Sequence, residues 1–252
     1  MKKFLAVSVF ALATQFLFAQ LNAGNDTTIC SGTAVQLQAS GGTTYTWTPG
    51  SGLNATNTAT PVATPTTTTT YVVSSPVSSS NIVVNGDFAQ GNTGFTTEYI
   101  YDSPTNANGS GAYYVGSNAN TWNNNMSSLC ADRNTDADAN MLIVNGATTA
   151  GVKIWCQTHQ VYPNITYNLS VYFQELHNQN YPILQWNVNN TNVGNSVTAF
   201  FIPCTWTRAQ ATWNSGVNTS ATFCLVGGNL GVNGNDFAID QIEITPSGNM
   251  YD

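Results

Sequence analysis

The sequence predicts an all-β chain: a small β-sandwich followed by a larger one. Three observations point there. Only 7% of the 252 residues are charged while 42% are hydrophobic and 11% aromatic, and the β-branched, aromatic, Thr and Asn residues suit pleated, half-buried surfaces. Apolar residues recur at alternate positions in short runs separated by Gly, Asn, Pro and Ser, the residues of turns. One polar stretch, Ser74 to Ser80, carries a proline and no aromatic residue, as a flexible joint requires.

Met1-Lys2-Lys3, the apolar run Phe4 to Phe18 and Ala19 before Gln20 read as a cleaved leader over residues 1–19. No later stretch approaches the apolar length of a membrane helix. Residues 20–75 form the first domain. Val35 and Leu37 alternate with Gln36 and Gln38, Tyr45 and Trp47 share a face, and Tyr71 and Val73 supply a closing strand. Trp47 is expected as a core plug. Residues 76–80 are the linker and 246–252 a tail.

Residues 81–245 hold nine strand candidates: Ile82–Val84, Ala112–Val115, Met141–Val144, Val152–Gln160, Thr166–Phe173, Ile183–Val188, Thr207–Trp213, Ala221–Val226 and Phe237–Ile244. Nine strands in this length imply a jelly-roll sandwich. The last alternates, so Ala238, Asp240, Ile242 and Ile244 are expected on one face, with a carboxylate in line with core aliphatics. A cation or a set of backbone N–H donors would stabilise it, which makes Asp240 the first candidate Ca²⁺ ligand.

Two resemblances follow from these residues. Ala23-Gly24-Asn25-Asp26-Thr27-Thr28-Ile29-Cys30, Tyr45-Thr46-Trp47 and Ala63 to Tyr71 resemble the Ig-like or PKD-like repeat of secreted Bacteroidetes-type surface and gliding-motility-associated proteins. That resemblance implies a spacer, and Asp26-Thr27-Thr28 is similar to a short O-glycosylation signal with Thr27 as acceptor. Asn85-Gly86-Asp87-Phe88, Met141 to Gly146, Val161 to Tyr167, Trp206, Trp213 to Gly216 and the closing Asn235-Asp236-Phe237-Ala238-Ile239-Asp240 resemble carbohydrate-binding modules of the galactose-binding-like jelly-roll type. There the first and last strands lie side by side near a metal, which implies a role for Asp87. Two departures stand out: Ala89 follows the first motif where an acidic residue is usual, and Gln241 replaces the second closing Asp. Proteins of the first class often end in a sorting domain, whereas this chain stops at Asp252, so it is either a fragment or retained another way.

Asp132-Arg133-Asn134-Thr135-Asp136 places oxygen ligands at alternate positions, as a calcium loop opens. It lacks the glycine and the Glu of an EF-hand. The alternatives are a solvated acidic loop and a Ca²⁺ site at Asp132, Asn134 and Asp136. For a sugar, Trp122 in the polar loop Ser117–Asn123 is the candidate stacking ring, with Tyr114 nearby; Tyr113 and Tyr114 must face opposite ways. Glu175 and His177 flank Leu176 and would project together as a polar rim, a surface pair or an acid–base pair. Hydrolysis by two carboxylates would need Glu98 or Asp102 to meet Glu175. There is no nucleophile elbow, phosphate loop, HExxH or basic stripe.

Five cysteines lie beyond the leader, in an oxidising compartment. Cys30 stands alone as the expected free thiol; Cys130 with Cys156 and Cys204 with Cys224 are the candidate pairs, although spacing leaves connectivity open and buried thiols are the alternative. Leader removal leaves three basic residues against twelve carboxylates, a net charge of −9, which argues against nucleic acid. The expected function is a non-catalytic secreted binding protein. An Ig-like spacer presents a Ca²⁺-stabilised jelly-roll that holds glycan or another surface polymer, for adhesion. The rivals are a subunit of an extracellular filament or sheath and a glycoside-active enzyme.

Overall fold

Thr, Val, Tyr and Asn alternate through most of this chain, and the computed structural model is accordingly built of strands. It describes residues 20–102, 104, 109–133, 139–177, 179–200, 202–228 and 235–252; the leader lies outside the described residues. The strands are β1 (Val35–Gln36), β2 (Thr46–Thr48), β3 (Val62–Ala63), β4 (Val72–Pro76), β5 (Ile100–Tyr101), β6 (Ala112–Gly116), β7 (Met141–Asn145) and β8 (Lys153–Gln160). They continue as β9 (Thr166–Glu175), β10 (Ile183–Val188), β11 (Thr191–Thr198), β12 (Thr207–Asn214), β13 (Ser220–Gly227), β14 (Phe237–Ser247) and β15 (Asn249–Tyr251). One helical turn, α1 (Ala119–Trp122), lies between β6 and β7.

The first unit is a small sandwich in which β1 pairs β3 and the second sheet runs β15-β4-β2. Trp47 is its plug, 2% exposed beside Leu21, Ala39 and Val73. Its indole N–H reaches the Thr58 carbonyl at 2.9 Å, so the ring is buried without stranding a donor. The third strand of this sheet comes from the far end of the chain. Asn249, Met250 and Tyr251 pair with Pro76, Ser75 and Ser74, and the Ala23 N–H donates to the Asp252 carboxylate at 2.7 Å.

The second unit is a jelly-roll sandwich of a six-stranded sheet, β12-β9-β14-β7-β6-β5, over a four-stranded one, β11-β10-β13-β8. Alternation fills the space between them: Tyr167, Leu169, Val171 and Phe173 of β9 meet Trp155, Trp186, Phe223 and Leu225 of the other sheet. Each such side chain, buried, contributes about 1.5–3 kcal/mol. The six-stranded sheet's other face is therefore left for a different use.

The opening motif explains itself residue by residue. Asn85 adopts φ 55° and staples its loop, its amide donating to the Gly91 and Thr93 carbonyls at 2.9 and 2.8 Å while its oxygen accepts from the Gln90 N–H. Gly86 lets the backbone pass so close to the Ile242 carbonyl that a Cβ would collide with it. Phe88 is fully buried. Along this segment Ile82 N–H donates to Ile244 O and Ile242 N–H to Gly86 O, both at 2.9 Å, so the opening segment lies against β14 as expected.

β14 departs from strict alternation. Its register against β9 shifts between Asp240 and Glu243, with Gln241 at φ 50°. Phe237, Ile239, Ile242 and Ile244 face the sandwich core, whereas Ala238 belongs to a second cluster on the opposite face. The expected common face of Ala238, Asp240, Ile242 and Ile244 is thus broken by a β-bulge, because one extra residue exchanges the faces beyond it.

The disulfides are Cys130–Cys204 and Cys156–Cys224, which corrects the pairs expected from the sequence. Cys156 and Cys224 stand directly opposite on β8 and β13, and only the sheet order could place them there. Cys30 is free and exposed.

Candidate binding site

The outer face of the six-stranded sheet is divided in two. On the β6–β7 side Ala112, Met141, Ile143 and Ala238 present an apolar patch, and the segment from Asn118 to Cys130 covers it. Asn118 caps α1 by accepting the Asn120 N–H, while the Asn120 amide donates to the Asn124 and Met126 carbonyls at 3.1 and 2.9 Å. Cys130–Cys204 ties the cover down. This polar-looking loop folds because its few apolar side chains, Trp122 and Met126 above all, point into the patch.

Trp122, expected as an exposed ring, is only 4% exposed. Tyr114 stacks on it at 6.2 Å with 21° between planes, and Tyr101, 47% exposed, lies 6.2 Å from Tyr114. As alternation requires, Tyr113 turns the other way, into the sandwich core. Tyr114 is half-buried, so the outward member of this aromatic string is Tyr101.

On the β12–β9–β14 side the face is uncovered and polar. The registers align four rows: Arg208, Tyr172, Asp240; then Gln210, Ser170, Glu243; then Thr212, Asn168, Thr245; then Asn214, Thr166, Ser247. At two residues per row the rows span about 20 Å. Arg208, Gln210, Thr212, Asn168 and Glu243 are exposed and Tyr172 is half-buried. Ser170 donates to the Glu243 carboxylate at 3.3 Å and Asn214 to the Thr166 hydroxyl at 3.3 Å.

At the head of this face the buried Asp240 lies beside the half-buried Asp132. Asp240 is fully buried and accepts the Gln241 N–H at 2.7 Å and the Arg133 N–H at 3.3 Å. Burial, then the neighbouring Asp132 carboxyl, pushes its pKa up to about 9. Asp87 does not join them: Asp87 is exposed, and its carboxylate accepts from the Ala89 N–H. Asn134 and Asp136 lie outside the described residues, among which no group of three or more His, Cys, Asp or Glu side chains could hold a metal. Two carboxylates fit a hard cation chemically but fall short of the six to eight oxygens that Ca²⁺ takes.

Glu175 and His177 do not act as one rim. Glu175 ends β9 fully buried, its carbonyl accepting the Cys204 N–H at 3.1 Å. The His177 Nδ1 lies 3.2 Å from the Asp236 carboxylate, whose pKa is raised by burial, an effect that the imidazole opposes. His177 borders an open cleft of about 480 Å³ with Met126, Leu129, Leu176 and Pro203. Glu98 is 3.9 Å from Lys153, not beside Glu175. Thr27 is exposed.

No family model and no curated protein matches the chain. Solved structures do. It is similar to the CBM22-1 xylan-binding domain from Paenibacillus barcinonensis Xyn10C, at 14% identity over 64% of this chain and 92% of that one, TM-score 0.43. It is similar to a family 16 carbohydrate binding module-2, at 20% identity over 65% and 99%, TM-score 0.41. It is also similar to a Stig cyclase, Fisc, from Fischerella sp. TAU, at 14% identity over 69% and 98%, TM-score 0.47. Such distant likenesses carry no argument about what this chain does.

Tyr172, Arg133 and Arg208 were not singled out from the sequence. The β9 alternation did hold the signal, since Asn168, Ser170, Tyr172 and Gln174 must oppose Tyr167, Leu169, Val171 and Phe173. What it could not show was which neighbours complete each row.

Proposed function

We propose that the protein is an extracellular, non-catalytic glycan-binding protein whose ligand lies along the open face of β12, β9 and β14. The observation that carries this is the row of uncovered hydroxyl, amide and carboxylate groups on a rigid sheet, headed by the Tyr172 ring. Sugars are recognised by such groups fixed in orientation beside a flat apolar face. A sheet positions them more rigidly than a loop would. Similar solved structures include carbohydrate-binding modules and a cyclase alike, so the choice between binding and catalysis comes from the side chains. Glu175, the acid expected beside His177, is fully buried, where it does not face the ligand.

Two disulfides fit an oxidising, extracellular setting. No helix of the described residues is long and apolar enough to cross a membrane. Within this proposal the first unit is an adhesion spacer, Thr27 its glycan acceptor, and Asp132 and Asp240 hold a structural Ca²⁺, whereas Tyr114, stacked on Trp122, and His177, in the cleft with Met126 and Pro203, lie apart from the ligand face.

Affinity electrophoresis through gels containing xylan, galactan, glucomannan or polygalacturonate tests the proposal. At least one polymer should retard the protein, and Tyr172→Ala or Gln210→Ala should weaken retardation about tenfold. Silence across the panel, with growing scattering as protein concentration rises, would replace glycan binding by self-assembly into a filament.

A further inference from the structure

The chain has two arginines, Arg133 and Arg208, and both stand over one ring. The Arg133 guanidinium carbon is 4.5 Å from the centre of Tyr172 and that of Arg208 is 5.6 Å away. Those distances add to 10.1 Å, the largest separation the two carbons can have. They come from opposite directions in the sequence. Arg208 is the direct cross-strand partner of Tyr172, while Arg133 arrives on the loop that the Gln174 amide holds through the Ala131 carbonyl at 2.9 Å. Among the described residues the salt bridges are Lys153–Glu98 and His177–Asp236, so neither guanidinium is paired with a carboxylate of those residues.

The two acids of the neighbouring rows, Asp240 and Glu243, are engaged elsewhere. Asp240 is fully buried under the Gln241 and Arg133 N–H groups, and Glu243, one row down, accepts from Ser170. A guanidinium offers a planar fork that matches a carboxylate bidentately, and stacking on an aromatic ring holds the fork while leaving its N–H groups free. In a chain of net charge −7, two such forks stand together at the head of an exposed polar face.

We infer that the open face takes a carboxylate-bearing sugar chain, with Arg133 and Arg208 gripping uronate groups beside Tyr172 and the amide and hydroxyl rows below reading the sugar hydroxyls. This rests on the proposed glycan-binding function and adds the class of glycan. The chain's negative charge disfavours non-specific retention of polyanions, so binding that depends on these arginines stands out clearly.

The test is affinity electrophoresis and titration calorimetry with polygalacturonate, alginate and, as neutral probes, xylan and galactan. Wild-type protein should prefer a polyuronate by tenfold or more. Arg208→Gln should lower that affinity about tenfold, Arg133→Gln/Arg208→Gln should abolish the preference, and Arg208→Lys should recover only part because the fork is lost. Circular dichroism melts should match the wild type, since Arg208 is exposed and the backbone donor of Arg133 is retained. Binding of neutral polymers with no response to the arginine variants would overturn this inference and leave glycan binding standing. Binding of no polymer at all would remove both.

Discussion

Asp240→Asn isolates the physics of the acid pair. In the unfolded chain the carboxyl titrates near 3.8, and in the folded chain burial and Asp132 push it up to about 9. A folded-state pKa above the unfolded one means that the native state holds a proton which the unfolded state has released. The stability this contributes is complete below the unfolded value and is lost as pH climbs through the folded one. At 1.36 kcal/mol per tenfold, the whole interval sets an upper bound of about 7 kcal/mol. Part of that interval belongs to the coupling of Asp240 with its neighbour, so we expect the wild type to lose roughly 3 kcal/mol relative to Asp240→Asn between pH 4 and 9. The amide keeps the oxygen that accepts backbone N–H groups and donates to Asp132 in place of the proton, so the variant should fold. Urea melts of both proteins in chelator, at half-unit pH steps, read this directly. Parallel curves within about 0.5 kcal/mol across that range would refute the claim that an uncompensated buried acid sits there. Repeating the pH 8 melts with Ca²⁺ tests the proposed metal: the wild type should gain stability that Asp240→Asn does not, and equal responses would remove Ca²⁺ from the site.

Trp122→Ala should cost about 3–5 kcal/mol in a denaturant melt, because it empties the cover over the apolar patch; a change below about 1 kcal/mol would show that the ring is not packed as described. Cys130→Ser/Cys204→Ser opens a link spanning 74 residues and should lower stability by about 2–4 kcal/mol, with hydrogen exchange rising first in the Asn118–Cys130 segment. Gly86→Ala should destabilise the protein by more than about 1 kcal/mol, since a Cβ meets the Ile242 carbonyl where opening and closing segments join. Native protein should titrate a single thiol with a thiol-reactive dye, Cys30, and Cys30→Ser should abolish the signal.

Periodicity and composition made much of this protein legible before any coordinates. Eight of the nine strands expected after the linker form within a few residues of their bounds; the ninth, Ile82–Val84, bonds to β14 without becoming a strand. β11 was missed, because Thr191–Thr198 is nearly all exposed and offers only Val193 and Val197 toward the core, too few apolar positions to stand out as a strand. What creates it is the Asn189-Asn190 turn, with φ values of 51° and 65°, which folds the chain back beside β10.

The sequence alone determined that this chain would be all-β, where its apolar faces lie, that Trp47 plugs the first unit and that Cys30 is left over. Such properties depend on what each residue is and on its near neighbours. Tertiary structure decided the rest: the bulge that turned Asp240 away from the sandwich core, the burial of Trp122, the disulfide partners, the rows across β12, β9 and β14, and the return of β15 to β4. Each is a contact between segments distant in sequence, selected by how two sheets and a loop bury one another's surface, and no local pattern carries that information.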